Sequence, residues 1–242
     1  MDLKKLLLAA AFMTAATAHA TFIDVSESNG EKSLQTILHE LGATSYDVNL
    51  DQATPDQVWN QTDSGITPVR FTAAIAGNAA TNTFGIYDIA DPTRYVELFG
   101  GGTAAGTAIT FEIDVTGSVF LWNVDTGVDF SSQNFGFYLG TPDPLFFSED
   151  AKNNPEADQM VAFQGGKGDF ITLAGVTREW TQGGWILAWE DQPYETSDKD
   201  FNDLVVFIES AQPISVPEPA TLALLGAGLM GLGLARRRAS VA

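Results

Sequence analysis

Ile109-Thr110-Phe111-Glu112-Ile113-Asp114-Val115 alternates apolar and polar residues at every step. Successive side chains of an extended chain point to opposite faces, so a period of two reads as a strand with one face in a core. Val69, Phe71, Ala73 and Ile75 repeat the pattern. Further strands are expected at Thr83–Asp88, Tyr95–Phe99, Val119–Val124, Phe135–Leu139, Leu145–Phe147, Met160–Phe163, Phe170–Leu173, Trp185–Trp189 and Leu204–Ile208. Turn signals separate them: Asp91-Pro92, Gly100-Gly101-Gly102, Thr116-Gly117-Ser118, Pro142-Asp143-Pro144, Gly165-Gly166 and Gly183-Gly184. The period changes once, at Ser33–Gly42, where Leu34, Ile37, Leu38 and Leu41 share a helical face. Ser33 can cap that helix and Gly42 can end it, which leaves His39 on the solvated side. An all-β body of sandwich or jelly-roll type with one short N-terminal helix follows.

From Thr21 to Pro219 the chain carries seven Lys/Arg against thirty Asp/Glu. Such a charge argues against direct binding to nucleic acid or anionic lipid heads and favours solubility, the attraction of cations, or both. Disorder is excluded by 45% hydrophobic residues and sixteen Phe. Cysteine is absent. Disulfides, thiolate metal sites and cysteine nucleophiles are therefore excluded, and stability must come from the core, helped or not by bound ions.

Both ends read as targeting segments. Lys4-Lys5, the apolar Leu6–Met13 and Ala18-His19-Ala20 have the order of a cleavable signal peptide over residues 1–20, with Ala18 and Ala20 at the cleavage site. At the other end Pro217-Glu218-Pro219 precedes an apolar stretch, Leu222–Ala235, and then Arg236-Arg237-Arg238. That order resembles the PEP-CTERM sorting signal of Gram-negative bacteria. As a helix the apolar stretch spans roughly 21 Å, short of the roughly 30 Å hydrocarbon core. Its glycines weaken it, and the arginines would hold its end on the cytoplasmic side. A temporary inner-membrane hold is expected, followed by passage to the cell surface, outer membrane or extracellular matrix. The resemblance implies processing by an exosortase-type protease. Residues 212–219 read as a proline-rich linker, 220–242 as the sorting tail and 21–211 as one domain.

Within that domain, Asn82–Asp88, Asn134–Leu139, Ile186–Asp191 and Ser197–Val206 are similar to the bacterial family called domain of unknown function 4114. Glu190-Asp191 and Asp198-x-Asp200-x-Asn202-Asp203 carry most of the likeness. The family has no established activity, so the resemblance implies a kind of exported domain and no mechanism.

Those acids are also the best candidate site. Alternate oxygen-bearing residues in a loop can wrap a hard cation, since Ca²⁺ takes six to eight oxygens. Glu190, Asp191, Asp198, Asp200, Asn202 and Asp203 are the candidate calcium ligands. Neither the glycine nor the distal glutamate of an EF-hand is in place, so any calcium loop here is of another type. Two structural readings compete: the acids solvate a turn, or Asn202 and Asp203 cap its backbone as Asx-turns.

No catalytic residue is singled out. One histidine remains after signal cleavage, which excludes histidine-rich zinc sites, and His39 has no recognisable triad partner. A two-carboxylate glycoside hydrolase is the one enzymatic alternative. Trp59, Trp122, Trp180, Trp185 and Trp189 offer stacking faces for sugars, though Trp185-x-Leu187-x-Trp189 alternates as core residues do. The reading that results is a non-enzymatic exported protein, structural or adhesive, meeting exopolysaccharide or biofilm matrix. The alternative is a calcium-dependent carbohydrate-binding module.

Overall fold

The computed structural model describes residues 22–26, 30–62, 67–74, 81–142 and 144–214. The signal peptide with Ala18 and Ala20, the motif Pro217-Glu218-Pro219, the apolar tail and Arg236–Arg238 lie outside them. A helix, α1 (Leu34–Leu41), precedes β1 (Trp59–Gln61), β2 (Thr67–Ala74), β3 (Thr83–Asp88), β4 (Asp91–Phe99), β5 (Ala108–Ile113), β6 (Ser118–Leu121) and β7 (Val124–Asp129). Then come β8 (Asn134–Gly140), β9 (Leu145–Phe147), β10 (Met160–Gln164), β11 (Phe170–Leu173), β12 (Val176–Glu179), β13 (Gly184–Trp189), β14 (Leu204–Glu209) and β15 (Ala211–Pro213).

Two antiparallel sheets form the body. One has the order β15-β1-β8-β3-β4, with β9 beside β8, and the other β10-β13-β14-β2-β5-β6-β7. β11 and β12 pair as a separate hairpin. Alternation assigns the side chains: Trp185, Leu187 and Trp189 of β13 and Leu204, Val206 and Ile208 of β14 enter the space between the sheets. There they meet Phe84, Phe135, Phe137 and Trp59 of the facing sheet. Trp59 packs edge-on against Trp185 with ring centroids 5.1 Å apart.

The intervening residues are buried too. Ile186, Ala188, Val205 and Phe207 lie in a second core with Leu34, Ile37 and Leu38 of α1, Ile171 and Leu173 of β11, Trp180 and Phe201. The second sheet is thus covered on both faces at β13 and β14, which explains why Gly184–Trp189 and Leu204–Ile208 are apolar throughout. Ser33 accepts from the Thr36 N–H and Gly42 ends α1 at φ 106°, as the sequence led one to expect. A Cβ at Gly42 would meet the Phe170 carbonyl, so glycine also lets the helix end sit against the β11–β12 hairpin.

Some boundaries differ from expectation. Val119–Val124 is broken by Trp122 and Asn123, both left-handed (φ 52° and 62°), which form the two-residue turn between β6 and β7. The turn before β4 falls at Ile89–Ala90, and Pro92 lies inside β4. It is tolerated there because β4 is an edge strand. Gln212 and Pro213, read as linker, belong to β15 and pair with β1.

Candidate metal centre between β13 and β14

The ladder of β13 continues one residue past its end, with the Glu190 N–H donating to the Gln159 carbonyl at 3.1 Å. The strand's period therefore still governs the two acids that follow. Glu190 turns toward the outer core, and its Oε1 accepts the Phe201 N–H at 2.6 Å. Asp191 turns the other way, and its Oδ2 accepts from Asn82 Nδ2 at 2.8 Å. Asn82 immediately precedes β3 of the facing sheet.

The returning loop is anchored by Phe201, fully buried in the outer core. Lys199 and Phe201 both hold left-handed backbone, φ 63° and 49°. Such a conformation costs a non-glycine residue about 1–2 kcal/mol, which the burial of Phe201 and its hydrogen bond to Glu190 offset. Carboxylate oxygens of Glu190, Asp198 and Asp200 thereby come within 4.8 Å of one another. Asp198 is exposed, whereas Glu190 and Asp200 are buried.

Asn202 completes the group. Its N–H donates to Asp200 Oδ1 (3.2 Å), and its Nδ2 donates to Asp200 Oδ2 (2.5 Å) and to the Lys32 carbonyl (3.1 Å). Two oxygens beside Nδ2 fix the orientation of the amide, because a flip would oppose oxygen to oxygen. Asn202 Oδ1 is then left without a hydrogen-bond donor among the described residues, as is Glu190 Oε2. The Ser197 hydroxyl is close enough to favour the ionised Glu190, but its hydrogen bond goes to the Tyr194 carbonyl at 3.4 Å.

Charge compensation is lacking among the described residues as well. Lys199 lies over the Tyr194 ring, 4.4 Å from its centroid, and Lys32 pairs with Glu40. Burial pushes the Glu190 carboxyl up to about 7, with repulsion from Asp198 and Asp200 adding to it against the Phe201 N–H. Burial and Asp198 raise Asp200 to about 6. Asp203 rises to about 8 through burial, although its Oδ2 accepts the Asp191 N–H at 2.7 Å.

Of the six candidate ligands, the structure thus brings carboxylate oxygens of Glu190, Asp198 and Asp200 together, with Asn202 hydrogen-bonded to Asp200 beside them. It places Asp191 and Asp203 in a neighbouring pair outside the close carboxylate group. Asn82 and the Lys32 carbonyl, which support the site, were not singled out from sequence. Each contacts it across more than a hundred residues, and no local pattern announces such a contact.

A second acid group comes together only in the fold and has no local sequence pattern. Asp56, in the approach to β1, is 6% exposed. Burial drives it well above the usual carboxylate range, and Asp158 and Asp150 add repulsion. Burial and Asp150 raise Asp158 to about 8, and burial raises Asp150 to about 6. Asp158 Oδ1 accepts the Met160 N–H (3.0 Å) and Asp150 Oδ2 accepts from Gln57 Nε2 (2.7 Å), while Asp150 Oδ1 has no donor among the described residues. Their oxygens do not converge as those around Glu190 do.

An antiparallel sandwich with an acidic loop at one strand end is the class that fold and site define. Residues 105–211 match the family model described as Domain of unknown function (DUF4114), and residues 215–238 match the PEP-CTERM protein-sorting motif. The first match takes in β5 to β14, the first residue of β15 and all six candidate ligands. It omits β1 to β4, yet β2 lies between β14 and β5 and β3 lies between β8 and β4, so the folded unit is larger than the matched segment. The second match implies an exported protein, passed through the membrane to the cell surface under a signal that an exosortase processes. Among the described residues no helix is long and apolar enough to cross a membrane. No curated protein matches significantly. Among solved structures, Chromobacterium violaceum lectin CV2L in complex with alpha-methyl-fucoside matches at 14% identity, over 68% of this chain and 96% of the lectin. Its TM-score of 0.26 is too low to carry a conclusion about fold or ligand.

Proposed function

We propose that this chain is a non-enzymatic structural or adhesive protein of the surface or extracellular matrix of a Gram-negative bacterium, in contact with exopolysaccharide. The tail holds it briefly at the inner membrane, and an exosortase-type protease releases it near Pro217-Glu218-Pro219. The observation that carries this reading is the sorting motif at residues 215–238, joined to a body in whose acid cluster Glu190 and Asp200 are buried. Glu190, at 0% exposed, is poorly placed to protonate a glycosidic oxygen, which supports a binding or structural role over hydrolysis.

Trp122 favours a second reading, carbohydrate binding. It is 56% exposed on the β6–β7 turn, whereas Trp59, Trp180, Trp185 and Trp189 are buried. β6 is four strands from β13, roughly 19 Å at about 4.8 Å per strand, so sugar stacking there would be separate from the acidic loop. The test uses processed protein recovered from the cell surface, incubated with the host's own exopolysaccharide. Retention on the polymer without release of reducing sugar is expected. Release of sugar would replace the structural reading with a glycosidase, and a surface form still carrying residues 222–235 by intact mass would contradict the temporary hold.

A further inference from the structure

We infer that Glu190, Asp198, Asp200 and Asn202 bind a single Ca²⁺ ion, which ties the segment before α1 to the β13–β14 loop. The inference goes beyond the surface-protein reading and does not depend on it.

Two independent observations meet here. The first is convergence: oxygens of three carboxylates lie within 4.8 Å of one another, compatible with the roughly 4.6–5.2 Å that separates opposite ligands at Ca–O distances of about 2.3–2.6 Å. The second is dissatisfaction. Glu190 and Asn202 are both 0% exposed, and each has an oxygen with no donor among the described residues. Buried acceptors are normally paired, and a carboxylate oxygen is the most costly to leave alone. A cation supplies the missing partner to both and cancels the repulsion among the three acids.

The ligand chemistry selects the ion. All donors are oxygens, one of them a neutral amide, with no imidazole or thiolate, which suits a hard cation and disfavours zinc or copper. Magnesium demands a tighter octahedral shell and sheds water reluctantly. Calcium tolerates an irregular shell, and waters at the exposed Asp198 side can complete it.

Asp191 and Asp203 act as positioning residues. Asp203 accepts the Asp191 N–H, and Asp191 accepts from Asn82, so the pair fixes the end of β13 to the loop and to the facing sheet. The ion has a longer reach through the backbone. Asn202 Nδ2 holds the Lys32 carbonyl and the Lys199 carbonyl accepts the Ser26 N–H at 2.8 Å. Both contacts lie on the segment that leads into α1, hence on the cover of the outer core.

Calorimetric titration of the processed protein with calcium chloride tests the inference, with three substitutions. One ion per chain is expected. Asp198→Asn removes an exposed carboxylate that holds no backbone, so the fold survives while affinity falls ~10-fold or more. Glu190→Gln is expected to abolish the heat of binding. Asp203→Asn keeps an oxygen for the Asp191 N–H and touches no proposed ligand side chain, so it is expected to lower affinity less than Asp198→Asn does. Circular dichroism of each variant confirms folding, and Asp198→Asn alone suffices if the buried changes fail to fold. Absence of binding heat in the unsubstituted protein would overturn the site, as would undiminished affinity in Asp198→Asn. A loss in Asp203→Asn equal to that in Asp198→Asn would overturn the assigned ligand set.

Discussion

Among the described residues, two groups of acids with buried members have different surroundings. At the end of β13, the carboxylates of Glu190, Asp198 and Asp200 converge within 4.8 Å, and Glu190 and the adjoining Asn202 each have one buried oxygen with no donor among the described residues. At Asp56, Asp150 and Asp158 the carboxylates repel one another from separate loops, and each of two of them accepts one protein hydrogen bond. Convergence makes a place for an ion, whereas separation leaves protonation as the way to relieve the charge. Burying acids in one fold therefore has two outcomes, decided by whether the backbone gathers their oxygens. The left-handed residues Lys199 and Phe201 do the gathering in the first case.

The largest effect expected is at Phe201, whose side chain anchors the gathering loop. Phe201→Ala should destabilise the protein by about 3–5 kcal/mol, the usual range for a fully buried phenylalanine. It should also weaken the calcium response, whereas a core change remote from the loop, such as Phe111→Ala, should lower stability without altering calcium affinity. Denaturant titration with and without calcium separates the two. A Phe201→Ala protein with unchanged calcium affinity would break the link between loop anchoring and site.

Calcium itself comes next. A ligand bound only by the native state at about 100 times its dissociation constant adds about 2.7 kcal/mol. For a domain of this size that is a rise in melting temperature of roughly 5–10 °C over the value in chelator.

The second group should answer to pH instead. In the folded state Asp158 titrates near 8 and Asp56 well above its ordinary value. As pH rises from about 4, the unfolded chain loses these protons first, so stability in chelator falls until the folded-state values are passed and then levels off. Asp158→Asn keeps an oxygen for the Met160 N–H and removes the charge. It should stabilise the protein at pH 8 by about 1–3 kcal/mol and change little at pH 4. Melting curves at the two pH values check this, and a calcium-dependent gain that disappears in Asp158→Asn would move the ion to the wrong group.

The smallest effect is backbone strain. Lys199→Gly relieves a left-handed lysine but increases the freedom of the unfolded chain, and a net change within about 1 kcal/mol is expected. A larger loss in chemical denaturation would show that the lysine over Tyr194 contributes more than its backbone costs.

What the sequence disclosed follows the range of the forces involved. Thr83–Asp88, Leu145–Phe147 and Phe170–Leu173 coincide with β3, β9 and β11, because their apolar patterns and flanking turns are local. β1 and β15 were not foreseen. Three residues each are too few to show a period, and they are strands because they pair with each other and β1 also pairs with β8. The acidic loop was legible as a cluster, since its residues lie close together in the chain. Its division was less so, although adjacent strand residues face opposite ways and Glu190 and Asp191 had to part. Asp56, Asp150 and Asp158 are brought near one another by tertiary folding alone, and no spacing signals them.

The most direct test is a crystal of the processed protein grown with calcium and measured for anomalous scattering. The expected result is one peak bonded to Glu190 Oε2 and Asn202 Oδ1 at about 2.3–2.6 Å, with Asp198 and Asp200 in the same shell. A structure in which those two oxygens face only water or protein donors, or in which the ion sits among Asp56, Asp150 and Asp158, would contradict it.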